Sequence, residues 1–253
     1  MDSRFSQAFL NQYTIPIDLL LILGIICFFK IPKEKRANIH YWLPFLILGY
    51  TVVYENMGAY TNYDFEFKKS VNAYLGNYEF PQFNLWLYNI TKRQIEVILY
   101  LMLIKTWLHP SKKKYINWMI YAFIAVVCTL QVSGIESLYL NQPIIFALGA
   151  NLILAGSGLY FIEMITHNQY LESNPFRLVS FWQMTIILFT FSLKYISSVA
   201  LLYLFEVNPV LGKSLQDISY LMSLCTLGVL IVAIASPLFP RIFEKEPSLE
   251  FLS

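Results

Sequence analysis

The sequence predicts an all-α, polytopic transmembrane bundle of seven helices, N-terminus outside and C-terminus cytoplasmic. Three observations carry that prediction. Hydrophobic residues make up 57% of the 253 positions and charged ones only 13%, against about 25% charged in a soluble domain. The mean hydropathy is +0.53, and the deficit of charge falls in long blocks of the length that a ~30 Å hydrocarbon core demands, ~20 residues. The loops between the blocks alternate in basic charge.

The blocks fall at roughly 12–30, 40–60, 84–108, 115–133, 143–165, 177–205 and 215–238. The first follows MDSRFSQAFLNQYTIP, which is too polar for a signal peptide and has no small-residue cleavage site after it, so it reads as a retained span. A basic turn (Lys30, Lys33, Lys35, Arg36) leads to the second span, and a mixed loop at 61–83, rich in aromatics and charges, leads to the third. That loop reads as an amphipathic connector at the interface. Lys112, Lys113 and Lys114 precede the fourth span, and a nearly charge-free loop at 134–142 precedes the fifth. The fifth contains GANLILAGSGLYF, whose small residues permit close helix approach. Its AGSG lacks the first glycine of an intramembrane serine protease motif, and no histidine lies deep in a later span. A lysine in the middle of the last span, which a retinal protein would need, is also missing.

Lys and Arg retained at the cytosol set orientation. Placing the basic turns inside puts Lys30, Lys33, Lys35, Arg36, Lys112, Lys113, Lys114, Arg177, Arg241 and Lys245 there, and Arg4, Lys68, Lys69 and Lys213 opposite. The net charge of +2 is too small to imply a nucleic-acid partner. Cys27, Cys128 and Cys225 are far apart within apolar runs and read as packing residues. His40, His109 and His167 fall at span ends with no metal-ligand spacing. No cofactor motif and no catalytic constellation emerges.

Ionisable residues inside spans are costly and turn to the bundle interior. The third span is the most loaded: at helical spacing Asn89, Arg93, Glu96 and Tyr100 form one stripe, with Lys92 beside it. At ~1.5 Å per residue, Glu55, Lys92, Arg93, Glu96, Asn151 and Lys194 share the outer half of the bundle, near Asp18, while Gln183, Thr190, Lys194 and Ser197 share one face of the sixth span. Glu55, Asn89, Lys92, Arg93, Glu96, Asn151 and Lys194 are therefore the candidate site: an ion-pair packing network, or an outer pocket for a small ligand. The inner halves look apolar, and Glu163, near an inner end, reads as able to reach water.

The segments YTVVYENMGAY, NLWLYNITKRQIEVILY and ESNPFRLVSFWQMTIILF resemble uncharacterised seven-span inner-membrane proteins of Bacteroidetes-type bacteria. The resemblance rests on Glu55, on Asn84, Tyr88, Asn89 and Glu96, and on Pro175, Phe176, Phe181 and Trp182. It implies a multi-pass protein of the bacterial inner membrane. Its similarity to the seven-helix regions that precede some sensor kinases inclines the reading toward sensing. The expected function is a non-enzymatic sensor or ligand-binding module with lipid around it, signalling through a protein partner or a homo-oligomer. The alternatives are a transporter or channel subunit, a lipid-modifying enzyme using Glu55 or Glu96, and a structural subunit of an envelope complex.

Overall fold

The computed structural model describes residues 3–11 and 13–247. Ser248–Ser253 of the predicted tail and the side chain of Arg4 lie outside the described residues. In chain order the helices are α1 (Ser3–Phe9), α2 (Thr14–Lys30), α3 (Lys33–Arg36), α4 (Ile39–Tyr63), α5 (Phe65–Tyr74), α6 (Leu85–Tyr88), α7 (Glu96–Thr106), α8 (Pro110–Val132), α9 (Pro143–Thr166), α10 (Asn168–Leu171), α11 (Val179–Val207) and α12 (Pro209–Ala235). A π-helical stretch, Asn89–Ile95, joins α6 to α7. The described residues contain no strand. Four segments are long and apolar enough to cross a membrane: Pro110–Val132, Pro143–Thr166, Val179–Ala200 and Pro209–Leu238. Helix α2, at 17 residues, covers ~26 Å and falls just short of a ~30 Å core.

Local chemistry sets the helix ends. Asn11 Oδ1 accepts from the Tyr13 and Thr14 amides at 2.8 and 2.9 Å, opening α2. At its other end Arg36 donates to the Ile31 and Phe29 carbonyls, which have no helical donor of their own. Asn38 caps α4 through the His40 amide. Helices α8 and α12 both begin ahead of the apolar runs predicted at 115 and 215. Each takes proline at its first turn, Pro110 and Pro209, with His109 and Asn208 as side-chain caps.

The 61–83 connector is more ordered than its polarity suggests. Helix α4 runs to Tyr63, and Asp64 caps α5 through the Phe67 amide. Gly76, at φ +80°, turns the chain back. Two buried asparagines tie the return: Asn72 donates to the Lys68 and Phe83 carbonyls and accepts from Asn77.

Helix α11 packs most extensively on α12 and then on α9, while α2 and α4 pack on each other and on α12. Ile47, Leu48, Leu101, Ile104, Ile153, Ile187 and Leu230 form the buried centre. A Cβ on Gly149 would sit 2.7 Å from Val97, so that glycine lets α9 approach α7, as the small-residue pattern predicts; Gly158 faces open space. Helix α8 is peripheral: only Ile116, Phe123 and Val127 are buried along it. Its outward Trp118 and Tyr121, like Leu19, Ile22 and Phe29 of α2, belong to an exposed apolar surface suited to lipid.

Candidate functional site

Two polar regions stand out, one within the bundle and one at the end where Lys35, Lys105 and the tail meet. The first holds most of the predicted site. Glu55, on the buried face of α4, accepts hydrogen bonds from Tyr13 Oη at 2.7 Å and Tyr88 Oη at 3.2 Å, and Lys92 Nζ lies 3.4 Å from it. Glu96, at the start of α7, accepts from Lys194 Nζ of α11 at 2.8 Å and from Tyr54 Oη of α4 at 2.8 Å. Lys194 Nζ also sits 4.3 Å from the centre of the Phe191 ring. Each carboxylate thus has one ammonium and at least one phenol, the pairing that makes a buried charge tolerable. The remaining void, bounded by Lys92, Glu96, Thr190, Lys194, Ser223 and Thr226, is about 20 Å³. That is room for one water and no larger ligand.

Asn89, Arg93 and Asn151 do not join this network. Asn89 is fully buried and donates to the Leu138 and Leu140 carbonyls, both at 2.6 Å, clamping the 134–142 loop. Arg93 stacks over Phe146 at 5.3 Å. The predicted stripe of Asn89, Arg93 and Glu96 splits because the chain is π-helical from Asn89 to Ile95. In that wider turn residues four apart stay aligned, so Lys92 goes with Glu96 and Asn89 goes with Arg93. Asn151 is exposed and bonds only the Ala147 carbonyl of its own helix. Asp18 accepts from Asn56 at 2.8 Å rather than from a lysine. The predicted face of α11 does point inward: Gln183 accepts from Trp107 Nε1 at 2.7 Å, Thr190 meets Thr226 at 2.8 Å, and Ser197 meets Ser219 at 3.2 Å.

Two further acids serve helix starts, one of them against its sequence reading. Glu163 does not reach water; it is buried and accepts from the His109 amide at 2.8 Å, with Lys112 Nζ at 3.9 Å. Glu136, the charge in the 134–142 loop, is buried and caps α9 through the Ile144 and Ile145 amides at 2.6 and 2.9 Å. Both sit where unpaired backbone donors need an acceptor.

The second region is a cavity of about 810 Å³ lined by Lys35, Lys105, Trp107, Lys113, Ala233 and the tail segment 243–247, among others. The basic turns that sequence reasoning used only for orientation therefore converge on one hollow. Its tail wall is pinned twice. Arg177 Nη1 pairs with Glu244 at 2.8 Å and its Nη2 donates to the Arg241 carbonyl at 2.9 Å. Glu246 reaches the first turn of α11, accepting from the Ser180 amide at 2.9 Å and Ser180 Oγ at 2.7 Å, and also from the Val179 amide. Desolvation holds the Glu246 carboxyl above the usual carboxylate range, against the opposing pull of those hydrogen bonds. Among the described residues no carboxylate pairs with Lys35, Lys105 or Lys113.

The described residues hold no group of three or more His, Cys, Asp or Glu side chains arranged for a metal ion. His109 and His167 approach to 5.8 Å between ring centres, and His40 packs on Trp107. No protein-family model, curated protein or solved structure matches the chain.

Proposed function

We propose that this chain is a non-enzymatic, seven-span protein of the bacterial inner membrane that binds a small ligand at its basic, cytoplasmic end. Helices α2 and α4 and the segment 85–106 would supply the three spans beyond the four apolar ones. The reading is supported by helix α4, which has 25 residues, and by the pairing of Glu55 with Lys92 and of Glu96 with Lys194, which lowers the cost of carrying those charges through lipid. The basic cavity lies beside the turns that the charge bias assigns to the cytoplasm, so ligand and tail would both face inward.

The single observation that carries ligand binding is the cavity of about 810 Å³, within the size range of small-molecule sites. The outer-half network, with its ~20 Å³ void, instead serves as the packing centre that holds α4, α7 and α11 in register. The tail forms one wall of the cavity, so occupancy is coupled to the segment best placed to touch a cytosolic or membrane partner. This placement is what supports a reading of sensing through such a partner.

Two steric variants test the reading: Thr106→Trp and Ser236→Phe, at half-buried lining positions. The full chain, extracted from native membranes, is examined by native mass spectrometry. The expected result is a small-molecule adduct on the wild type that both variants lose. A wild type without adduct, or variants that keep it, would contradict the proposal.

A further inference from the structure

Resting on the ligand-binding reading of the same cavity, we infer that its ligand is an organic phosphate, whose phosphate group sits among Lys35, Lys105 and Lys113. Charge is the first argument. The two tail acids that could neutralise these lysines are engaged elsewhere: Glu244 with Arg177, and Glu246 with the first turn of α11. The other nearby acid, Glu163, faces Lys112 and the His109 amide. Lys35, Lys105 and Lys113 therefore line one hollow whose own carboxylates, Glu244 and Glu246, are bonded to other groups, so that among the described residues no acid is ion-paired with these lysines and an anion would be drawn to them.

The number of donors is the second argument. These three ammonium groups offer nine N–H donors and three positive charges, and Lys245 in the tail wall adds a fourth lysine to the lining. A phosphate monoester, with up to two negative charges and three terminal oxygens, matches that set; a single carboxylate would leave most of the charge uncompensated. Size is the third. A cavity of about 810 Å³ exceeds what bare phosphate fills, and Ile39, Met102 and Trp107 give it apolar and aromatic wall for an organic body. Lys33 and Lys114 lie in the same basic turns but do not line the cavity. They separate a binding role from mere orientation of the chain.

Two sources offer this chemistry at a membrane surface: the headgroup of an anionic phospholipid, and a soluble organic phosphate. The test uses the full chain in a phosphate-free maltoside detergent, titrated separately with dioctanoyl phosphatidic acid and with glycerol 3-phosphate. Dioctanoylglycerol and glycerol serve as the phosphate-free counterparts. Saturable binding of one phosphate probe, absent for its counterpart, is expected, and the probe that binds identifies the source. K105Q/K113Q should weaken that binding by about tenfold or more, as should the single variant K35Q at its exposed position, whereas K33Q/K114Q should leave it unchanged. Equal binding of the counterparts, binding of neither phosphate, or binding indifferent to K105Q/K113Q and K35Q would overturn the phosphate assignment. If neither phosphate binds but the steric variants still lose a native adduct, the ligand-binding reading stands and only the phosphate class falls. Loss of both results removes both.

Discussion

The two polar regions of this bundle use the same side chains to opposite effect. In the first network, Glu55 and Glu96 meet Lys92 and Lys194, and Tyr13, Tyr54 and Tyr88 take up remaining carboxylate lone pairs, leaving about 20 Å³. At the basic end, Lys35, Lys105 and Lys113 line about 810 Å³, and the carboxylates that line it with them, Glu244 and Glu246, are bonded to Arg177 and to the first turn of α11 instead. Compensation makes the first region a fastening, because moving any member strands a buried charge. The lack of compensation makes the second region available, because its charges have yet to find a counterpart. Charge inside a helical bundle is therefore a poor guide to a site until its partners are counted.

Breaking the network should have the largest effect. Lys194→Met leaves Glu96 buried beside Tyr54 without its ion-paired cation, and should cost about 3–5 kcal/mol, the range for stripping one member from a buried pair. Unfolding in mixed micelles reads that loss, and the double variant Glu96→Leu/Lys194→Met should recover most of it. Failure of the double variant to recover would mean that Glu96 does more than pair with Lys194.

Gly58→Ala should come next. A Cβ there collides with the Tyr88 hydroxyl, so it displaces the phenol from Glu55 at a cost of about 1–3 kcal/mol. Gly49→Ala, which meets nothing within 4 Å, is the control and should change stability little in the same unfolding experiment.

At the basic end, Glu246→Ala removes an acceptor from the first turn of α11 and should cost about 1 kcal/mol in tail docking, a typical cap loss. Limited proteolysis at the tail reads it. Docking should also depend on pH. The docked Glu246 carboxyl lies above its ordinary range, so docking is strongest below the undocked value, where both states are protonated. It weakens as pH rises through the docked value. Tail amide protection, taken relative to the intrinsic exchange rate at each pH, should therefore be greatest in acid and fall toward neutral pH, and protection indifferent to pH would remove Glu246 as the titrating group. The smallest effect on stability belongs to Lys113→Gln: within about 0.5 kcal/mol, while ligand binding changes.

Much of this was legible in the sequence. Helices occupy each predicted apolar block, the polar face of α11 follows directly from the spacing of Gln183, Thr190, Lys194 and Ser197, and Glu55, Lys92, Glu96 and Lys194 are brought together. Side-chain spacing at the α period sets Asn89 and Arg93 beside Glu96, whereas the π-helical register of 89–95, which lies in backbone hydrogen bonding, parts them. Asn151 was placed by depth alone, and depth does not say which way a side chain turns. The early starts of α8 and α12 were visible in His109-Pro110 and Asn208-Pro209, signals of capping that an apolar run does not reveal. The cavity was hidden for a different reason. Lys35, Lys105, Lys113 and Glu246 come from distant parts of the chain, and only the packing of their helices brings them to one hollow.

The central claim is that the basic end is open and the Glu55/Glu96 network is closed. Cysteine reactivity tests it most directly. In a full chain with Cys27, Cys128 and Cys225 replaced by alanine, Thr106→Cys would line the cavity and Thr190→Cys the buried network. Both are exposed to a charged methanethiosulfonate reagent in inside-out and right-side-out membrane vesicles. The account predicts fast labelling of Thr106→Cys in inside-out vesicles alone and no labelling of Thr190→Cys in either. Labelling of Thr190→Cys in right-side-out vesicles, with Thr106→Cys inert, would contradict it and return the ligand site to the outer half.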